Sequence, residues 1–301
     1  MKTIAKGNLY MGIALVMAAG IFWGSMGTAV QYLFSLGTFK PLALVEIRLV
    51  SAGLILLAGA TLIAPKTTWA VWTNRQDAVG VIVSGLALVG SHTAFFQAIY
   101  YSNAGTAAIL LTLVPLIAAV WLALRGKRHL GLTDLICFVL ATAGVALIIT
   151  DGDFGGLVFS PLALFWGLAS SLCATVYSVQ PVKLIARAGV IPVVTWGTLL
   201  GGIAATFFVQ PWNSGIVWET GSLLAFAYVV IFGTVVAFAA FLAGLKYVSP
   251  VIAGLLNCME PLSAIFFSMA LLGDRMGLWQ WLGVVLVLSN VVLIALARKS
   301  S

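Results

Sequence analysis

Residues 94–118 read AFFQAIYYSNAGTAAILLTLVPLIA, and residues 240–264 read AFLAGLKYVSPVIAGLLNCMEPLSA. The two stretches align without a gap. Ala94-Phe95 falls on Ala240-Phe241, Tyr101 on Tyr247, Ala107 on Ala253 and Leu110 on Leu256. Pro115-Leu116 then falls on Pro261-Leu262, and Ala118 on Ala264. Each stretch is a pair of apolar runs joined by a short link, Ser102-Asn103 in one and Ser249-Pro250 in the other. Lys246 and Glu260 are the only charged residues in either. Such runs read as membrane helices, because a backbone in lipid must satisfy its own hydrogen bonds within the segment.

The match continues outward. Gly131-Leu132 falls on Gly277-Leu278 and Leu147-Ile148 on Leu293-Ile294, while Phe22-Trp23-Gly24 matches Phe165-Trp166-Gly167. The chain therefore reads as a duplication, with a first half at residues 1–150 and a second at 155–301. Hydropathy marks apolar segments at about 9–36, 41–64, 78–101, 104–124, 130–150, 161–182, 190–209, 221–245, 249–272 and 277–297. That is five helices per half. Five is odd, so the second half enters the bilayer from the opposite face. The expected fold is an all-α membrane protein of ten transmembrane helices, built as two inverted five-helix repeats. Inverted repeats recur in secondary transporters, with the substrate site between the halves near the midplane.

Composition agrees. Of 301 residues 62% are apolar and 8% charged, against about 25% charged in soluble domains. Fifteen basic and eight acidic side chains cannot cover so much apolar surface in water. The net charge of +7 is no sign of a nucleic-acid partner, because the basic residues sort by side. Lys2, Lys6, Lys66, Arg75, Arg125, Lys127, Arg128, Lys183, Arg187, Lys246, Arg298 and Lys299 fall on one side, and Lys40 and Arg275 on the other. Basic loops stay in the cytoplasm, which places both termini there. Lys2 and Lys6 precede an apolar run too long for a signal peptide, so the first helix is expected to remain. Cys137, Cys173 and Cys258 lie far apart within apolar runs, a poor basis for disulfides. No phosphate-binding loop is present. His129 lies apart in a basic loop, so no histidine metal site and no cofactor is expected.

With these features in place, the chain resembles the drug/metabolite transporter superfamily in its ten-helix, two-repeat, EamA-type form. The matching features are Phe-Trp-Gly in the first helix of each repeat, Pro41 with Arg48 in the second helix, Glu260-Pro261 in the ninth, and Gly273-Asp274 before Gly277. One feature departs: Arg125-Gly126-Lys127 stands where members often carry an acidic residue. The resemblance implies a multi-pass inner-membrane exporter of small metabolites, the nearest type being an exporter of aromatic or other neutral amino acids. It implies alternating access around a cavity lined by helices one, three, four, six, eight and nine. An exporter of cationic drugs or of another metabolite is the alternative. A membrane-embedded enzyme is a distant third reading that no catalytic spacing supports, and a structural or receptor role is the remaining class.

Glu260 is the sharpest candidate for substrate binding. It lies near the middle of its helix, where an ionised carboxylate is costly unless paired. Asn257 is one turn earlier on the same side. Their repeat mates are Val114 and Leu111, and a need set by the scaffold alone should have appeared in both halves. His92, whose mate is Phe238, can donate and accept hydrogen bonds and is a candidate substrate or proton contact. Phe96 shares its face. Trp23 and Trp166, at matching places, offer apolar and cation–π surfaces. Tyr177 adds a polar group from helix six. Arg48 is expected to serve the scaffold, by reaching outward or holding carbonyls. The expected partners are a small-molecule substrate, the lipid bilayer and, as a candidate coupling ion, protons.

Overall fold

The computed structural model describes residues 6–126, 129–153, 156–210 and 215–299. Lys2, Lys127 and Arg128, assigned to loops by sequence, lie outside the described residues, as does residue 155. Within them the chain is helical, without strands. Helix α1 is Lys6–Ser35 and α2 Pro41–Ile63, followed by a short helix Pro65–Ala70. Helix α3 is Arg75–Tyr101, α4 Ala104–Leu124 and α5 Leu132–Thr150. Helix α6 runs over Pro161–Ala188 and α7 over Val190–Thr206. Helix α8 is Thr220–Gly244, α9 is Pro250–Leu256 plus Met259–Leu272, and α10 is Leu278–Lys299. Eight of these have the length and apolarity to cross a membrane, while α7 and the apolar part of α10, Leu278–Leu293, are shorter.

The helix starts follow from local chemistry. Asn103 accepts a hydrogen bond from the Thr106 amide at 2.8 Å, and Asn74 accepts one from Gln76 at 2.9 Å. Pro41, Pro161 and Pro250 open α2, α6 and α9, where the missing N–H costs nothing. Gly273, at φ +73°, closes α9 in the left-handed conformation that glycine adopts freely.

The helices pair in a pattern that relates the two halves. Helix α1 runs antiparallel to α8, with Trp23 against Phe238 and Phe241, and Ser25 Oγ 2.6 Å from Tyr228 OH. Helix α6 runs antiparallel to α3 in the same way, with Ser84 Oγ donating to Gln180 Oε1 at 2.6 Å and Gly90 against Cys173. Helix α1 lies parallel to α9, and α6 parallel to α4. Helix α2 runs antiparallel to α7 through Gly53 against Leu199 and Gly202 against Val50. Helix α5 runs antiparallel to α10 through Gly144 and Gly283, which lie against each other's backbones. Small residues at these crossings let backbones approach, which is how helices associate where lipid offers no hydrophobic drive.

The bundle is apolar outside and partly polar inside. Leu54, Ile55, Phe138, Val139, Phe207, Phe208 and Leu271 are exposed, while Thr28, Glu46, Arg48, Ser84, Thr198 and Thr234 are buried. An apolar exterior of this extent would be unsuited to water and suits hydrocarbon.

Candidate functional site

Helices α4 and α9 are both interrupted, at matching places. Pro115 has no N–H for the Leu111 carbonyl, and Pro261 none for that of Asn257. The chain tightens before each proline. In α4, the Thr112 and Leu113 amides bond to Ile109 and Leu110, three residues back. In α9, the Cys258 amide bonds to Leu255, and that of Glu260 to Asn257 at 3.0 Å. The two breaks face a cavity of about 310 Å³, at the lower end of the roughly 300–1,000 Å³ usual for small-molecule sites.

Five of the seven residues proposed from sequence meet there. Glu260 and Asn257 enter from α9, His92 from α3, Trp23 from α1 and Tyr177 from α6. Asn257 Oδ1 is buried without a hydrogen-bond partner, and Glu260 forms no ion pair among the described residues. Trp23 meets the rings of Phe238 and Phe241 at 5.6 and 5.2 Å, so one wall is aromatic. Thr112, Pro115 and Cys258 complete the broken segments, and Ser91 and Phe95 flank His92.

Phe96 and Trp166 stand outside this lining. Phe96 lies one turn beyond His92, is fully buried, and packs against Phe34 and beneath the Arg48 guanidinium rather than lining the cavity. Trp166 packs against Phe165 and the central core. It sits eleven residues before Tyr177, ~16 Å along α6. Helices α1 and α6 run in opposite directions, so residues that match in sequence do not share a depth.

Helices α2 and α10 also reach this lining, through Arg48 and Val291. Arg48 is 1% exposed. Its Nε donates to Thr234 Oγ1 at 3.1 Å, and its Nη2 is 2.6 Å from His92 Nδ1. The guanidinium can only donate, so Nδ1 accepts and the ring proton of His92 sits on Nε2. Thr234 belongs to a π-helical turn, Ile231–Val236, and its hydroxyl bonds back to the Val229 carbonyl at 2.9 Å. π turns within α-helices concentrate at functional sites. An ionisable residue well inside a span was a visible signal for Arg48; its direction was not, because that depends on how α2 packs.

Glu46 does not pair with Arg48. Its Oε1 accepts a hydrogen bond from Thr206 at 3.0 Å. Among the described residues no group of three His, Cys, Asp or Glu side chains is placed to hold a metal, and the three cysteines are free.

Comparison with known proteins bears on this architecture. The sequence profile of the EamA-like transporter family matches residues 10–150 and again 161–296. The uncharacterized inner membrane transporter YicL of Salmonella typhimurium is 35% identical, over 97% of this chain and 98% of its own. The uncharacterized inner membrane transporter YedA of Escherichia coli K12 is 23% identical, over 94% of this chain and 90% of its own. The protein PecM of Dickeya dadantii is 26% identical over 85% and 83%. A crystal structure at 17% identity superposes with a TM-score of 0.66 over 96% of this chain and 98% of its own, a likeness of fold alone. With eight helices of spanning length, this is a multi-pass protein of the inner membrane and a transporter of small molecules. The chain belongs to the EamA-like transporter family, within the drug/metabolite transporter superfamily.

Proposed function

We propose that the chain exports small metabolites, chiefly neutral amino acids, by alternating access around the cavity between its two halves. In this reading all ten helices span the bilayer, residues 1–150 and 155–301 are inverted repeats, and both termini are cytoplasmic. Support comes from the double match of the family profile and from helix direction. The second and seventh helices are repeat mates and run antiparallel, as do the fifth and tenth. Mates that run antiparallel belong to halves of opposite orientation.

One observation carries the choice of substrate. The unpaired Glu260 carboxylate and the unpartnered Asn257 amide oxygen stand at the break of α9, in a cavity with an aromatic wall. These groups suit an ammonium group attached to an apolar body. Alternating access gives substrate and proton turns at one carboxylate, so an inward proton gradient can drive export. The same pair favours a second reading, a cationic drug held by Glu260 and the face of Trp23.

Counterflow separates these readings. Proteoliposomes preloaded with unlabelled amino acids should accumulate labelled ones, and preloading with hydrophobic amines should not substitute. Accumulation driven by the amines alone overturns the amino-acid assignment.

A further inference from the structure

Arg48 is held by two of its three guanidinium nitrogens. Nε is bound to Thr234 on α8 and Nη2 to His92 on α3, while Nη1 is buried and has no partner. The side chain is 1% exposed yet borders the cavity. Among the described residues no carboxylate forms an ion pair with it. Glu46 is two positions away, off its face, and bonds to Thr206 on α7. Glu260 reaches the cavity from α9 without forming an ion pair. A guanidinium keeps its charge, and a buried charge is costly until an opposite one meets it.

The surroundings fix the guanidinium. The π turn of α8 presents Thr234 Oγ1 to Nε, His92 Nδ1 receives Nη2, and the Phe96 ring lies 5.1 Å from the guanidinium carbon. Two nitrogens are thereby committed to the protein, and the third is left as a buried, unsatisfied donor on a side chain that lines the cavity. A planar guanidinium suits a carboxylate better than any other common anion except phosphate.

We propose that Nη1 of Arg48 receives the carboxylate of the transported solute, so that the cavity selects molecules carrying a carboxylate as well as an ammonium group. This rests on the reading of the cavity as the transport site and deepens it. Arg48 and Glu260 present opposite charges to one small cavity without neutralising each other by contact, and a zwitterion completes both. A cation without a carboxylate would leave Nη1 unpaired and meet its repulsion.

The test uses purified protein and three mixtures whose binding is read by thermal stabilisation over a concentration series. The first holds the twenty protein amino acids, the second their primary amides, and the third the corresponding 2-hydroxy acids. The amides keep the ammonium group and lose the carboxylate; the hydroxy acids do the reverse. The amides should bind at least about tenfold more weakly than the amino acids, the scale of losing a hydrogen bond to a charged group. Arg48→Gln should remove this preference, and Arg48→Lys, which keeps the charge, should retain part of it. Amides that bind as well as amino acids overturn the proposal, as does an Arg48→Gln protein that keeps the preference. The wild-type comparison decides the matter even where a variant fails to fold. Hydroxy acids that bind as well as amino acids would instead overturn the role of Glu260 and leave Arg48 in place. Binding of none of the three overturns both.

Discussion

Gln31 on α1 and Asp274, just beyond the end of α9, are clamped together. Gln31 Nε2 donates to both carboxylate oxygens of Asp274, at 3.1 and 2.9 Å, and its Oε1 accepts from the Ala104 amide at 2.8 Å. The clamp joins the end of α1, the start of α4 and the end of α9, and so ties these three elements together on the Asp274 side.

Opening that side should require breaking the clamp. Gln31→Ala removes all three hydrogen bonds at once. Cys258 lines the cavity and can report on access, once Cys137 and Cys173 are replaced by alanine. An impermeant thiol reagent applied from outside should label Cys258 about tenfold faster in the Gln31→Ala protein, the effect of shifting a two-state balance by about 1.4 kcal/mol. An unchanged labelling rate would show that the clamp does not hold the outer face shut.

The topology has its own labelling test. Single cysteines at Asp153 or Ser160 should react with an impermeant reagent outside the cell, and cysteines at Arg125 or His129 should not. The reverse pattern would invert the assignment of every loop.

The crossing of α2 and α7 should be intolerant of side chains. A Cβ at Gly202 would lie 2.6 Å from the Val50 backbone nitrogen, whereas one at Gly59, also on α2, would meet nothing within 4 Å. Gly202→Ala should destabilise by about 1–3 kcal/mol, the usual cost of overpacking, read as a lower melting temperature in detergent. Gly59→Ala should be neutral or slightly stabilising, because alanine favours helix. Equal melting temperatures for the two variants would mean that the crossing is loose.

Much of the architecture could be read from sequence because lipid acts on each segment locally. The demand for internal hydrogen bonds makes an apolar run a helix whatever its neighbours, and Asn103, Ser160 and Ser249 mark starts by capping chemistry. Pro115 and Pro261 aligned the two halves, although the tightened turns before them emerged only in three dimensions. Lateral placement was harder. Trp23 and Trp166 match in sequence, but helices that run in opposite directions carry matched residues to different depths. His92 and Phe96 share a helix face, yet the Arg48 side chain and Phe34 occupy the space beside Phe96. Arg48 itself turns on the packing of α2 against α3 and α8, which no spacing within α2 encodes.

Glu260 offers the most direct measurement. Glu260→Gln keeps the shape of the side chain and removes its charge, so the protein should fold and melt close to wild type. In proteoliposomes, labelled amino-acid flux by the wild-type protein should respond to an imposed pH gradient. In the Glu260→Gln protein, flux should fall at least about tenfold, as expected when a charge-assisted contact is lost, and the residual flux should not respond to the gradient. Wild-type flux with unchanged pH response in a well-folded Glu260→Gln protein would contradict the assignment of this carboxylate to substrate and proton.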